Sequence, residues 1–375
     1  MQRSMNFEST PPAAPPDRFA AAYRLLDEAI ADRAFPGCAF GVLVGGDVLL
    51  TGALGSFTYD QAAPAIMPET VFDIASLTKV VASTASAMLL HQRGQLDLDS
   101  PLAELLPAFP VNRAASDPAR HITLRHLLAH NSGLPGYVEF FRAAATPEAL
   151  LDACLALPLV AEPGARAEYS DPGFILLGKA LEALTGEPLA TWVQREIFLP
   201  LGLAATGFNP PPSARSLIPP TERDTTFRHR VIQGEVQDEN AWVLGGAAGH
   251  AGVFSNAPEL LRFAREILSA SHGSARLFNA ATVQLFSQRQ GPLGSSRALG
   301  WDTPSENSSA GRHFSPHSIG HLGFSGCSLW IDLEAEIAIA LLTNRTWPDR
   351  TWPDRQSQLI RRVRPAFHDA IREAL

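Results

Sequence analysis

The chain has 375 residues, of which 46% are hydrophobic and 18% are charged, so it is long enough to bury a large core in one or two domains. Its 38 acidic and 30 basic residues give a formal net charge of -8, which argues against binding to nucleic acid through phosphate neutralisation. No apolar run reaches the roughly 18 residues that a membrane span requires. We therefore expect a small-molecule partner, with no nucleic acid and no membrane, and the oligomeric state stays open.

The cysteines and the N-terminus indicate the cellular compartment. Cys38, Cys154 and Cys327 are odd in number and lack metal-ligand spacing, so neither a disulfide framework nor a zinc site is expected. Residues 1–16 are rich in proline and lack the continuous apolar core of a secretory signal. We expect a flexible tail at 1–16, a cytoplasmic protein, and no metal ion or other cofactor.

Both ends of the chain predict parts of one sheet domain. Residues 17–33 carry apolar side chains at helical spacing. Residues 38–55 predict a β-hairpin, because Gly45-Gly46 suits a tight turn. Residues 326–344 predict two more strands, the second apolar on both faces, and the spacing in 356–375 predicts a final helix.

The middle of the chain, from about 100 to 240, predicts mainly helices. Three pairs combine a capping side chain with a residue typical of a first helical turn: Ser100-Pro101, Thr123-Leu124 and Asp171-Pro172. The simplest architecture is an α/β domain formed by residues 17–99 and 241–375, interrupted by a helical domain at 100–240. A cleft between two such lobes is a common place for a small-molecule site.

A direct duplication, TWPDRTWPDR, occupies residues 346–355. The five-residue unit is too short for a solenoid repeat, and its two prolines predict a loop between the last strand and the final helix. We interpret it as an expanded surface loop. A role for Trp347 or Trp352 at the mouth of the cleft is the alternative.

The segment FDIASLTKVVAS, residues 72–83, places a serine three residues before a lysine at the predicted start of a helix. Helical spacing brings Ser76 and Lys79 onto one face, where a desolvated lysine can activate a serine nucleophile. The free N–H groups and the dipole of a helix N-terminus also favour developing negative charge. Because S-x-x-K occurs by chance in many helices, two ordinary surface side chains are the alternative.

Two further segments carry polar groups that a cleft could use. In AEYSDPGFILLG, Tyr169 lies two residues before Asp171, although the two could simply be a packed aromatic and a helix cap. In GHLGFSGCSLWID, His321 and Gly323 enter a strand, and glycine there permits close approach of a ligand to the backbone. A glycine-rich turn beside an edge strand is the alternative.

Taken together, the three segments resemble the serine β-lactamase and penicillin-binding protein superfamily, whose pattern is S-x-x-K, then Y-x-N or S-x-N, then K-T-G or H-x-G on a strand. The resemblance is closest to the branch of class C β-lactamases, family VIII carboxylesterases and low-molecular-weight penicillin-binding peptidases. It covers nearly the whole chain from Phe35, including TLRHLLAHNSGLPG, FLPLGL, GGAAGHAGVFSNAPELLRFA and LGWD. It implies an α/β (α+β) fold of the β-lactamase/transpeptidase-like class, with a central antiparallel sheet flanked by helices and an inserted helical domain.

The same resemblance implies a serine hydrolase that cleaves an ester, amide or β-lactam substrate through a covalent acyl-enzyme. Ser76 would attack the carbonyl, and Lys79 and Tyr169 would share the proton transfers. The N–H groups of Ser76 and Phe324 would form the oxyanion hole. The implied substrate-binding residues are Asp171, His321 and Gly323.

Two departures from the family pattern affect this interpretation. Asp171 replaces an asparagine, and its carboxylate would raise the pKa of Lys79 and keep the amine protonated. We therefore expect Tyr169 to act as the base, with a pKa lowered by the lysine charge. His321 replaces a lysine and is mostly neutral at pH 7, which predicts weak recognition of penicillin-like carboxylates and a preference for neutral substrates such as short-chain esters.

Two other functions stay open. One is a D-amino-acid peptidase or a cell-wall-fragment hydrolase, because relatives with Y-S-D occur beside cell-wall recycling functions. The other is a catalytically silent penicillin-binding or sensor protein, which the reactive residues at all three motif positions disfavour.

Three more histidines lie in suggestive contexts. His126 and His130 have the spacing of a zinc pair, but the accompanying glutamate of H-E-x-x-H is absent, so packing or loop anchoring is favoured. His250 lies in a glycine-rich segment before a predicted helix cap at Asn256. That segment could line the cleft.

Overall fold

The computed structural model describes residues 17–111, 113–350 and 353–375, with the side chains of the last range described from 358 onwards. The predicted tail at 1–16 and Trp352 lie outside the described residues. The strands are β1 Gly37–Val44, β2 Asp47–Gly55, β3 Phe72–Asp73, β4 Gly207–Phe208, β5 Glu222–Asp224, β6 Arg230–Ile232, β7 Val253–Ser255, β8 Ser318–Leu322, β9 Ser328–Asp332 and β10 Ile337–Thr343. The α-helices are α1 Ala20–Ala31, α2 Ala85–Gln92, α3 Leu102–Leu105, α4 Leu124–Leu128, α5 Pro147–Leu155, α6 Asp171–Thr185, α7 Leu189–Val193, α8 Glu239–Val243, α9 Ala257–Ser271, α10 Ala280–Ser287 and α11 Pro353–Glu373.

A five-stranded antiparallel sheet organises the fold. Its strand order is β2-β1-β10-β9-β8, so the N-terminal hairpin pairs directly with the C-terminal strands, as the two ends of the sequence predicted. Cys38 lies opposite Thr343 in the β1–β10 pair, and His321 lies opposite Leu329 in the β8–β9 pair. All residues of β10 are buried, because both faces of the sheet are covered.

Different helices cover the two faces. On one face, α1 and α11 pack on an apolar cluster that includes Phe40, Trp330 and Ile339. On the other face, α9 contacts β1 and β10, and the buried cluster continues without a break into the helices of 100–240. The helical region therefore lies on the same side of the sheet as α9. The boundaries at 99/100 and 240/241 stay predictions.

The predicted helix starts are correct in place but not always in their caps. Thr123 caps α4 as expected, whereas α3 follows Pro101 without a side-chain cap. The expectation that Asp171 caps α6 is wrong. The Ser170 hydroxyl caps this helix by accepting a hydrogen bond from the Gly173 N–H at 3.1 Å. The Asp171 carboxylate is therefore free for another partner.

The two copies of the TWPDR unit differ in structure. The first copy lies in the loop after β10, where Trp347 is buried beside the Arg223 guanidinium. The second copy enters α11, which begins at Pro353, so the prediction of a loop throughout is wrong. Proline is tolerated in a first helical turn because its missing N–H would have no partner there.

No helix in the described ranges combines the length and the apolar character needed to cross a bilayer.

Two glycines, Gly178 and Gly249, allow α6 to pack closely against the segment 246–252. A Cβ at Gly178 would lie 2.9 Å from the Gly249 Cα, and a Cβ at Gly249 would lie 2.2 Å from the Phe174 carbonyl oxygen. The Gly249 carbonyl also accepts a hydrogen bond from the Ser83 hydroxyl at 2.6 Å. A side chain at either glycine would separate three segments that meet here.

We predict that Gly249→Ala lowers the free energy of unfolding by about 1–3 kcal/mol, because the added methyl group overpacks the contact with α6. Urea denaturation followed by circular dichroism measures the change. Gly291→Ala is the matched control, since a Cβ there meets no atom within 4 Å. Equal unfolding midpoints for the two variants would contradict the close-packing role of Gly249.

Candidate active site

Ser76 lies in a strained turn between a strand and a helix. It follows β3 in a 3₁₀ turn, Ala75–Leu77, and a π-helical turn, Lys79–Thr84, comes next. The predicted helix start is therefore present, but its first turns are not α-helical. Ala75 has a φ of +48°, which is unfavourable for a residue with a Cβ and persists only where its surroundings impose it.

The buried carboxylate of Asp73 holds this turn. Its Oδ1 accepts a hydrogen bond from the Ala75 N–H at 2.8 Å, and its Oδ2 accepts one from the Gln237 N–H at 2.7 Å. The Asp73 carbonyl accepts a hydrogen bond from the Ser325 hydroxyl at 2.8 Å. Burial raises the pKa of Asp73 to about 6, although the hydrogen bonds from the Gln237 and Ala75 N–H groups act to lower it. Asp73 is not among the predicted site residues, because its only signal in the sequence is a charge in a strand-like segment.

Lys79 is fully buried directly behind Ser76. Its Nζ lies 3.0 Å from the Ser76 Oγ, 2.7 Å from the Asp171 Oδ1 and 3.1 Å from the His250 carbonyl oxygen. Burial by itself would lower the pKa of Lys79, but Asp171 and Tyr169 raise it above its ordinary value. The amine is therefore protonated at neutral pH, as the replacement of asparagine by Asp171 predicted.

The three contacts of Lys79 suit two protonation states. The ammonium form donates one proton to each acceptor. The neutral amine would donate to Asp171 and to the His250 carbonyl, which can only accept, and its lone pair would face the Ser76 hydroxyl. Lys79 can therefore accept the serine proton only after it has released one of its own.

Tyr169 contacts the lysine and two histidine rings. The Lys79 Nζ lies 4.8 Å from the Tyr169 ring centroid, and the His130 and His321 ring centroids lie 4.7 Å and 5.8 Å from it. Burial raises the pKa of Tyr169, and the opposing effects of Lys79 and Ser76 do not overcome it. The prediction that the lysine lowers this pKa below its ordinary value is therefore wrong. The phenol is protonated at rest because desolvation outweighs the attraction to the ammonium.

His130 anchors the segment that carries Tyr169. Its ring Nδ1 accepts a hydrogen bond from the Ser170 N–H at 2.9 Å, and its carbonyl accepts one from the Glu168 N–H at 2.7 Å. Loop anchoring was the interpretation favoured for this histidine. The ring of His126 instead contacts its own helix cap.

His321 is buried and neutral. Its Nδ1 lies 2.8 Å from the Leu322 carbonyl oxygen, so this nitrogen carries the proton. Burial lowers the pKa of His321 well below its ordinary value, and the charges of Lys79 and Arg297 act in the same direction. The Nε2 has no hydrogen-bond partner among the described residues. A permanent cation is nevertheless near, because the Arg297 guanidinium lies 5.4 Å from the Tyr169 ring centroid.

The turn 323–327, between β8 and β9, lies against the nucleophile turn. A Cβ at Gly323 would lie 2.4 Å from the Ile74 carbonyl oxygen, so glycine permits this approach. No described residue accepts a hydrogen bond from the Phe324 N–H, and the Phe324 ring is 49% exposed. This N–H is therefore available to a ligand beside Ser76.

The glycine-rich segment before α9 lies behind the site. It contributes the His250 carbonyl that Lys79 contacts, while the His250 Nε2 lies 2.9 Å from Asp238 Oδ1. The predicted cap is present, since the Asn256 side chain accepts a hydrogen bond from the Glu259 N–H at 2.9 Å.

A second group of titratable residues borders the Phe324 side chain, where the Arg350 guanidinium lies 5.7 Å from the ring centroid. The carboxylates of Glu222, Asp224 and Glu239 are close enough to share one ligand. Arg228 pairs with Asp224, and Arg350 pairs with the two glutamates. Arginine side chains thus neutralise this group.

Comparison with known proteins gives the family. The family model described as Beta-lactamase matches residues 22–360. The N-acetylmuramyl-L-alanine amidase of Bacillus subtilis (strain 168) is 32% identical over 346 residues, which cover 83% of this chain and 77% of that protein. A protein of Escherichia coli (strain K12) named "Putative D-alanyl-D-alanine carboxypeptidase" is 30% identical over 304 residues, which cover 74% of this chain and 69% of that protein.

Solved structures confirm the predicted fold. EstCE1, described as a hydrolase with promiscuous acyltransferase activity, superposes with a TM-score of 0.74 at 23% identity, covering 94% of this chain and 98% of that one. The octameric penicillin-binding protein homologue from Pyrococcus abyssi gives a TM-score of 0.69 at 20% identity, covering 91% and 75%. The chain belongs to the β-lactamase family, and it is a serine hydrolase with the β-lactamase/transpeptidase-like fold.

Proposed function

We propose that this protein hydrolyses ester or amide bonds, in the manner of a carboxylesterase, through an acyl-enzyme on Ser76. The observation that carries the proposal is the 3.0 Å contact between the Lys79 Nζ and the Ser76 Oγ. Lys79 is fully buried, whereas Ser76 is half-buried, so the hydroxyl remains accessible to a substrate. A desolvated cation at this distance stabilises the alkoxide that forms during attack.

Proton transfer is assigned to Lys79 and Tyr169 as a coupled pair. Both groups are protonated at rest, so the active form is the one from which one proton has been lost, and that loss belongs to the pair rather than to either residue. The pair then takes the Ser76 proton while Oγ bonds to the substrate carbonyl carbon. It returns that proton to the leaving oxygen or nitrogen as the ester or amide bond breaks.

Hydrolysis of the acyl-enzyme repeats the cycle with water. The pair accepts a proton from water, the hydroxide oxygen bonds to the acyl carbon, and Ser76 regains its proton as the acid leaves. In both steps the N–H groups of Ser76 and Phe324 would stabilise the negative charge on the carbonyl oxygen. Asp171 keeps the pair in place through its 2.7 Å contact with Lys79.

The relatives support a second substrate class, peptide or amide bonds of cell-wall fragments. The Bacillus subtilis relative is named "N-acetylmuramyl-L-alanine amidase", and the Escherichia coli relative is named "Putative D-alanyl-D-alanine carboxypeptidase". Such fragments carry carboxylates. Arg297, close to Tyr169 and 22% exposed through its side chain, offers a cation to such a group.

We predict that Ser76→Ala lowers the hydrolysis of p-nitrophenyl butyrate by at least about 10³-fold, because no other group replaces the nucleophile. The same variant should lose labelling by a fluorescent fluorophosphonate, read on a gel. Ser274→Ala, at an exposed serine, is the matched control and should keep both properties. Labelling that persists in Ser76→Ala would place the nucleophile elsewhere.

Asp171→Asn should move the acidic limb of the pH profile of kcat/KM to lower pH by about one unit or more. Asp171 raises the pKa of both Lys79 and Tyr169, so its neutralisation makes the pair lose its proton more readily. The expected direction is the same whichever of the two is the base. Ester hydrolysis measured from pH 5 to 10 gives the profile.

The control for this shift is Asp152→Asn, which neutralises an exposed carboxylate on α5. Its profile should match that of the wild type. An acidic limb that stays in place or moves to higher pH in Asp171→Asn would show that Asp171 does not set the ionisation of the pair.

We predict that the wild type hydrolyses a short-chain nitrophenyl ester at least tenfold more efficiently, by kcat/KM, than a chromogenic cephalosporin. The neutral His321 offers no charge to the cephalosporin carboxylate. Parallel steady-state assays provide the comparison. Efficient cephalosporin turnover with a low KM would contradict this prediction, and Arg297→Gln would then test whether that guanidinium binds the carboxylate.

A further inference from the structure

A buried arginine of α11 holds the turn 323–327 through its main-chain carbonyls. The Arg364 Nη2 donates to the Gly323 carbonyl at 2.6 Å and to the Cys327 carbonyl at 3.0 Å. Its Nε donates to the Gly326 carbonyl at 3.0 Å. One side chain thus binds three main-chain carbonyls of a single turn.

Burying Arg364 is energetically costly. The residue is 5% exposed, and no carboxylate in the described part of the chain pairs with it. It lies on the buried face of α11 with Ile360 and Phe367, where an apolar residue would pack without a desolvation cost. Burial lowers its pKa to about 9, so the guanidinium is still charged at pH 7. The charge therefore needs an explanation beyond packing.

The peptide bond between Gly323 and Phe324 links this arginine to the cleft. Among the described residues the cis peptides lie elsewhere, so this bond is trans, and its C=O and N–H point in opposite directions. With the Gly323 carbonyl held by Arg364, the Phe324 N–H points away from the arginine. The contact of Gly323 with the Ile74 carbonyl places the same peptide beside the nucleophile turn.

We propose that Arg364 is a positioning residue for the oxyanion hole: it fixes the Gly323–Phe324 peptide and polarises its N–H toward the carbonyl oxygen of the substrate. A cation on the carbonyl side of a peptide strengthens the hydrogen bond that its N–H donates, and it does so most where negative charge develops. This inference rests on the proposed acyl-enzyme at Ser76. It adds to the site a residue of the C-terminal helix α11, which lies outside the three sequence motifs.

A purely structural role for Arg364 would have a different signature. An arginine that only satisfies three carbonyls stabilises the folded turn, and its loss would lower the melting temperature without a selective effect on the transition state. An arginine that orients and polarises the Phe324 N–H affects kcat and the binding of tetrahedral adducts together, and leaves KM almost unchanged.

The test uses Arg364→Lys, which keeps the charge but loses the planar fork, and Arg364→Met, which keeps only the stem. Arg362→Met, at an exposed position of the same helix, is the control. For each folded variant, kcat and KM are measured with p-nitrophenyl butyrate, and the inhibition constant is measured with phenylboronic acid, which forms a tetrahedral adduct with serine. Melting temperatures show which variants are folded.

We expect kcat to fall about 10-fold in Arg364→Lys and about 100-fold in Arg364→Met, the second value being at the lower end of the range for outright loss of an oxyanion donor. The inhibition constant of the boronic acid should rise by the same factors, and the control should match the wild type. Folded Arg364 variants with kcat and boronate affinity within twofold of the wild type would overturn the inference. A loss confined to KM would do the same.

Ser76→Ala, run in the same assay, separates this inference from the proposed function. Equal hydrolysis by the wild type and Ser76→Ala would overturn the acyl-enzyme and the role of Arg364 with it. Hydrolysis that depends on Ser76 and survives unchanged in Arg364→Lys and Arg364→Met would overturn the role of Arg364 alone.

Discussion

The buried ammonium of Lys79 is the constraint on which the arrangement of the site depends. A fully desolvated charge without partners costs several kcal/mol, so the fold must bring acceptors to it. Ser76, Asp171 and the His250 carbonyl do so from positions 3, 92 and 171 residues away in the sequence. The start of α6 and the glycine-rich segment before α9 are therefore held at positions that satisfy one nitrogen atom. The nucleophile takes part in the same set of contacts.

Two other buried charged groups fix the main chain around this lysine. The Asp73 carboxylate binds the N–H groups of Ala75 and Gln237, and the Arg364 guanidinium binds carbonyls of the turn 323–327. Both side chains lower the stability of the folded protein. Each is a charge removed from water, and its partners are main-chain groups rather than an opposite charge. In return they hold two turns rigidly, and rigid backbone donors are what a developing oxyanion requires.

The charge distribution of the cleft differs from that of the whole protein. The chain carries a net charge of -8, yet Lys79, Arg297 and Arg364 contact Ser76, Tyr169 and the turn 323–327 respectively. His130 and His321 stay neutral because burial and these cations lower their pKa values. Positive charge beside the nucleophile favours both an alkoxide and an oxyanion. The histidines thus contribute shape and a hydrogen-bond acceptor rather than charge.

Much of the fold follows from local patterns. The hairpin around Gly45, the strands on either side of 333–336 and the final helix all depend on periodicity and turn residues that short segments contain. The fold class and the family follow from the order of three motifs, and the structure brings Ser76, Lys79, Tyr169 and His321 into one connected set of contacts.

Other properties depend on contacts between distant segments. The identity and order of the reactive groups follow from the amino-acid sequence alone, because these are local facts. The tertiary structure left Ser170 as the cap of α6 and paired the Asp171 carboxylate with Lys79, a residue 92 positions away in the sequence. It also decided the pKa of Tyr169, because desolvation depends on which rings pack around the phenol, and it brought Asp73 and Arg364 to main-chain groups 164 and 41 residues away.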